Sequence, residues 1–174
     1  MMKTGADGAV TLDLNGPAFE EVLQRHKFSR HGQIKGSPMM NAELDKLKDF
    51  FGDPADGAKR CQEAGRILNS IMTVPSSQAA RALLKKSMNI QDADFDDPAK
   101  AGEIVGKTRQ AVMKAMCTPV TQEEVGSCFA TAPLRKMRDD NPIKVMEMYT
   151  EIAKTGIFTA ANSDKIPAVL NRAA

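Results

Sequence analysis

Covalent chemistry in this sequence falls most readily to Cys128, which stands in the run Pro119-Val120-Thr121-Gln122-Glu123-Glu124-Val125-Gly126-Ser127-Cys128-Phe129-Ala130-Thr131-Ala132. A thiol attacks as the thiolate. A loop that delivers it to the start of a helix stabilises that form through unpaired N–H groups and the positive end of the helix dipole. The same N–H groups can receive the oxyanion of an acyl-transfer intermediate. Gly126, Ser127 and Ala130 are small and leave room for a substrate backbone. Gln122, six residues before the thiol, carries an amide that serves as a second oxyanion donor if the loop folds back. Cys128 is therefore the candidate nucleophile and Gln122 the candidate oxyanion donor.

The other chemistry-bearing residues point elsewhere. Cys61 and Cys117 fall in helical patterns, and with Cys128 they make three cysteines without a C-x-x-C pair. That argues against a disulfide framework and a structural zinc site, and it favours the cytoplasm or another reducing compartment. His26 and His31 lie in a stretch rich in Lys and Arg and read as solvated basic residues, so no His-based metal centre is expected. Asp92, Asp94 and Asp96 alternate, and Glu103 falls eleven residues after Asp92, the ligand spacing of an EF-hand loop. The position that needs Gly is Asp97, however, and the next is Pro98. Carboxylates that cap a helix N-terminus account for these acids without an ion. No metal or cofactor is expected.

The segment around Cys128 resembles the active-site stretch of the papain-like cysteine peptidases, in which a Gln precedes the nucleophilic Cys by six residues and the local signature is C-G-[SA]-C-[WY]. Here that signature reads Val125-Gly126-Ser127-Cys128-Phe129, and Pro119-Val120 stands before Gln122 much as a Pro-Val does in that family. The resemblance implies thiol acyl transfer on a polypeptide, with Cys128 as nucleophile and Gln122 as oxyanion donor. It covers about fourteen residues. Val125 stands where the family has a disulfide cysteine, and Phe129 where it has Trp. Pro133 forfeits a hydrogen bond if the helix starts at Cys128; alternatively Thr131 caps the helix and Cys128 lies outside its first turn. The family's catalytic His follows the Cys by 130 residues or more, whereas 46 residues follow Cys128 here and none is His.

Three readings follow. The chain is the nucleophile-bearing, N-terminal part of such a peptidase, with the His supplied by a missing C-terminal half or a second chain. Alternatively it is a non-catalytic helical domain that binds a protein partner or acts as a scaffold, with Cys128 packed. In the third, Gly126-Ser127-Cys128-Phe129-Ala130 echoes the GSCFA-type acyl hydrolases, and the chain is a fragment of one.

The elements that must position Cys128 are read from periodicity. Residues 1–16 form an extended tail in which Val10, Leu12 and Leu14 alternate. Gly16-Pro17 opens a helix with Phe19, Val22, Leu23 and His26 on one face, and Ser37-Pro38 opens another with Met40, Leu44, Leu47 and Phe51. Ala55 to Met72 directs Ala64, Ile67, Leu68 and Ile71 inward; Ser76 caps a helix with Ala80, Leu83, Leu84 and Met88. Asp97-Pro98 launches one with Ile104, Val105, Thr108, Val112 and Met116, and Pro142 to Lys154 carries Val145, Tyr149 and Ile152 before Thr155-Gly156. The expected fold is mostly α: five to seven short helices around a Met/Leu/Ile/Val core, with at most a small hairpin. Residues 17–117 make a helical region, placed like a pro-segment. Residues 118–174 hold the nucleophile loop and further helices, the start of a larger catalytic domain in the first reading.

Composition agrees with this class. Eleven Met, one Tyr and no Trp suit helices better than aromatic-rich sheets. The net charge is +2 with both signs interleaved, so no basic stripe offers itself to nucleic acid. No apolar run approaches a membrane span, and the first residues lack the apolar stretch of a signal peptide.

Overall fold

In the computed structural model the described residues are 2–12, 38–117 and 128–157; of residues 38–44 and 128–132 the backbone alone is described. Within them lie seven α-helices and one hairpin, the mostly helical architecture expected from periodicity. The expected helix after Gly16-Pro17 and its cap-region counterpart Ser37 lie outside the described residues.

The hairpin pairs β1 (Met2–Thr4) with β2 (Val10–Leu12) in antiparallel register, Met2 opposite Leu12 and Thr4 opposite Val10. Gly8 takes a φ of +80° in the turn, where a side chain is disfavoured, and the Asp7 carboxylate accepts from the Ala9 N–H at 3.1 Å. The helices are α1 (Pro38–Phe51), α2 (Gly57–Asn69), α3 (Gln78–Met88), α4 (Asp92–Phe95), α5 (Ala101–Cys117), α6 (Cys128–Asp140) and α7 (Pro142–Thr155).

Local hydrogen bonds set several boundaries that periodicity left loose. The Asp53 carboxylate accepts from the N–H groups of Ala55 and Asp56, both at 2.9 Å, so the chain turns there and α2 begins at Gly57 rather than Ala55. Its last turn closes where the Ser70 hydroxyl donates to the Ile67 carbonyl, three residues short of the expected end. Ser77, not Ser76, caps α3: its Oγ accepts from the Ala80 N–H. Asn89, with φ of 52°, ends that helix in the left-handed conformation. Asp97 accepts from the Ala99 N–H at 2.9 Å, but Pro98 opens a short 3₁₀ turn to Lys100 before α5 starts.

The chain divides into two compact units, residues 1–66 with 114–145, and residues 67–113 with 146–174. In the first, Val10, Leu47, Phe51, Ala64, Met116 and Val145 are buried. The hairpin comes close to α2 there: a Cβ on Gly65 would sit 3.3 Å from the Val10 carbonyl oxygen. In the second, Leu84, Ile90, Phe95 and Ile104 form a cluster, with Val74, Met88 and Ala111 packed against it.

Arginines hold backbone carbonyls at or just beyond the C-terminal ends of two helices. In the first unit Arg60 donates to the Phe50 carbonyl at 2.9 Å, with its guanidinium 4.3 Å from the Phe50 ring centre. In the second, Arg109 donates twice to the Ile71 carbonyl just past α2, from Nε at 3.2 Å and Nη2 at 2.9 Å. A cation at this end of a helix also opposes the negative pole of its dipole.

Candidate thiol site

The backbone of α6 begins at Cys128 and runs to Asp140. The first N–H groups of an α-helix have no acceptor within it, so the Cys128 backbone lies at the positive end of a thirteen-residue helix. Thr131 falls inside α6 and does not cap it, which corrects the alternative that left Cys128 outside the first turn. Pro133 is also inside the helix. It has no N–H to give the Phe129 carbonyl, so one hydrogen bond of the early helix is forfeited, as the start at Cys128 requires. Gln122, His26 and His31 lie outside the described residues, and so does the Cys128 side chain.

The two remaining cysteines are structural. Cys117, the last residue of α5, is 0% exposed, and burial pushes its thiol up to about 12 although the nearby Arg138 guanidinium opposes the shift. At neutral pH it carries almost no thiolate and is no nucleophile. Cys61, half-buried on α2, donates its S–H to the Phe51 carbonyl at 3.5 Å, and burial raises its pKa as well.

Arg138 belongs to no sequence motif. It is 3% exposed, and its Nη2 donates to the Met116 carbonyl in the last turn of α5. The available signal was position: Arg138 follows Leu134 by four residues on α6, so it falls on the inward stripe, where an ordinary solvated Arg is not expected.

The acidic link is a capping and ion-pair device. Asp92 accepts from Lys85 at 2.6 Å, Asp94 from Lys100 at 2.5 Å, Asp96 from Arg81 at 3.1 Å, and Glu103 from Lys107 at 2.8 Å. The Asp94 carboxylate also accepts from the Gln91 N–H at 3.0 Å, closing a capping box at the start of α4. The Lys100 ammonium first, and the Gln91 N–H second, hold the Asp94 carboxyl below the usual carboxylate range. Three alternate acids thus face three different cations instead of converging on one point. Among the described residues no group of three or more His, Cys, Asp or Glu is arranged to hold a metal ion, and no helix is long and apolar enough to cross a membrane.

A scan against protein-family models finds no match for this chain, and searches of curated proteins and of solved structures find none.

Proposed function

We propose that the chain carries the nucleophile-bearing part of a thiol acyl-transfer site of the papain-like kind, with Cys128 as nucleophile, Gln122 as oxyanion donor and a polypeptide as substrate. The observation that supports this reading is the start of α6 at Cys128, because helix N–H groups there favour thiolate over thiol and can receive an oxyanion. In the reaction, the Cys128 thiolate adds to the substrate carbonyl carbon. The C–N bond then breaks as the leaving amine takes a proton from a general acid, and water hydrolyses the thioester. Residues 129–174 contain no His. The acid and base are in this reading a His from a second chain or from a further segment of the protein.

The test is alkylation by iodoacetamide across pH, read residue by residue by mass spectrometry. Cys128 is expected to react first near neutral pH, with a pKa modestly below the usual value of about 8.5. Peptide hydrolysis by the 174 residues alone is not expected, since nothing in this reading would protonate the amine. If Cys128 resists alkylation until the protein unfolds, the nucleophile assignment falls. The second reading, a helical protein-binding domain with Cys128 packed, then stands. It draws support from Cys117 and Cys61, both of which serve packing here.

A further inference from the structure

We propose that Met72 is a site of reversible thioether oxidation that the fold tolerates. Its side chain is 77% exposed, in the segment that joins α2 to α3 within the second unit. An exposed methionine in a floppy loop would be unremarkable, but this segment is pinned on both sides. Ile71 is fully buried, and its carbonyl takes two hydrogen bonds from Arg109, at 3.2 and 2.9 Å. Pro75 is buried too, and its carbonyl accepts from Arg81 Nε at 2.8 Å. Arg81 is itself fixed by Asp96 at 3.1 Å and lies 5.1 Å from the Phe95 ring centre. The turn therefore presents the Met72 side chain to solvent while the flanking Ile71 and Pro75 stay buried. Met113, Met116 and Met146 are the contrast, each at 0% exposure.

A peroxide transfers one oxygen atom to such a sulfur. The O–O bond breaks, an S–O bond forms, the thioether is oxidised to the sulfoxide and the peroxide is reduced to water. At Met72, whose side chain is already 77% exposed, the polar sulfoxide stays in water. At a buried methionine the same oxygen would become a polar group without a solvent partner, and the sulfur is reached only when the structure opens. Two thiols reverse the change, forming a disulfide and releasing the oxygen as water, the chemistry of a thiol-dependent sulfoxide reductase.

The full chain treated with millimolar hydrogen peroxide and followed by peptide mapping tests this directly. Met72 should gain one oxygen at least about tenfold faster than Met113, Met116 and Met146, because the buried sulfurs wait for opening. The melting temperature should not change when Met72 is oxidised and those three are not. Incubation with a methionine sulfoxide reductase and a dithiol should restore the original mass, and Met72→Leu should abolish the early oxygen addition while leaving the melting temperature in place. Equal oxidation rates at Met72 and the three buried methionines would overturn the proposal. So would a melting temperature that falls with oxidation at Met72, or a sulfoxide that the reductase cannot restore.

Discussion

Gly156 is where a single added atom would meet both a strained backbone and a packed neighbour. Its φ is +79°, a conformation that L side chains rarely adopt, and a Cβ there would sit 2.3 Å from the Ala79 Cβ and 2.9 Å from the Ala80 nitrogen. The end of α7 thus packs directly on the start of α3, and only glycine allows it. Gly156→Ala should cost roughly 2–5 kcal/mol, combining backbone strain with overpacking. Gly102, in the first turn of α5, is the internal control, because a Cβ there meets nothing within 4 Å. Gly102→Ala should stabilise by about 0.5–1 kcal/mol through helix propensity. Urea unfolding of both variants measures the contrast, and a mild Gly156→Ala would contradict the close approach of α7 to α3.

At the scale of elements, α6 and the acidic link make separate predictions. Pro133 interrupts the helix that Cys128 opens, removing one N–H and crowding the Phe129 carbonyl. Pro133→Ala should therefore raise stability by about 1–2 kcal/mol, the restored bond outweighing the added freedom of the unfolded chain. A drop in stability would mean that the interruption fits its surroundings. In the link, Asp94 has a depressed pKa in the folded state, so its contribution is present above the unfolded value of about 3.9 and is lost as pH falls through the lower folded one. Lys100 has a raised pKa; its contribution is present below the unfolded value of about 10.4 and is lost as pH rises through the folded one. The pair thus stabilises the chain between roughly pH 4 and pH 10. Melting temperatures of wild type and Asp94→Asn should differ across that window and converge at more acid pH.

For the molecule as a whole, stability rests on apolar burial within each compact unit. Phe95 is central to the second, 5% exposed, clustered with Leu84, Ile90 and Ile104 and covered by the Arg81 guanidinium. Phe95→Ala should cost about 3–5 kcal/mol, a large part of the 5–15 kcal/mol that holds a typical domain. Chemical denaturation of that variant gives the number. A loss below about 1 kcal/mol would show that the cluster repacks around the void.

The sequence by itself determined the helical class, because apolar residues recurring every three to four positions can be buried together only on one face of a helix. Leu47, Phe51, Ala64, Ile67, Leu84, Ile104, Val112, Met116, Val145 and Ile152 fall on the inward stripes that periodicity predicts, and all are buried. Asp97 before Pro98 and Gly156 after Thr155 were legible as an N-terminal cap and a C-terminal stop, since both signals act over a few residues of backbone. What tertiary structure decided was anything set by residues distant along the chain. Burial of Arg138 needs the Met116 carbonyl, 22 residues away, and the Ile71 carbonyl is held by Arg109, 38 residues away. Alternation at Val10 and Leu12 marked an extended segment, while its pairing with Met2–Thr4 as a hairpin and its close approach to Gly65 in α2 were decided by the fold. Cys128 divides in the same way. Its motif was visible in the sequence, while the start of a helix at that residue rather than at Thr131 emerged only in the folded chain, where α6 runs on through Pro133 despite a lost hydrogen bond.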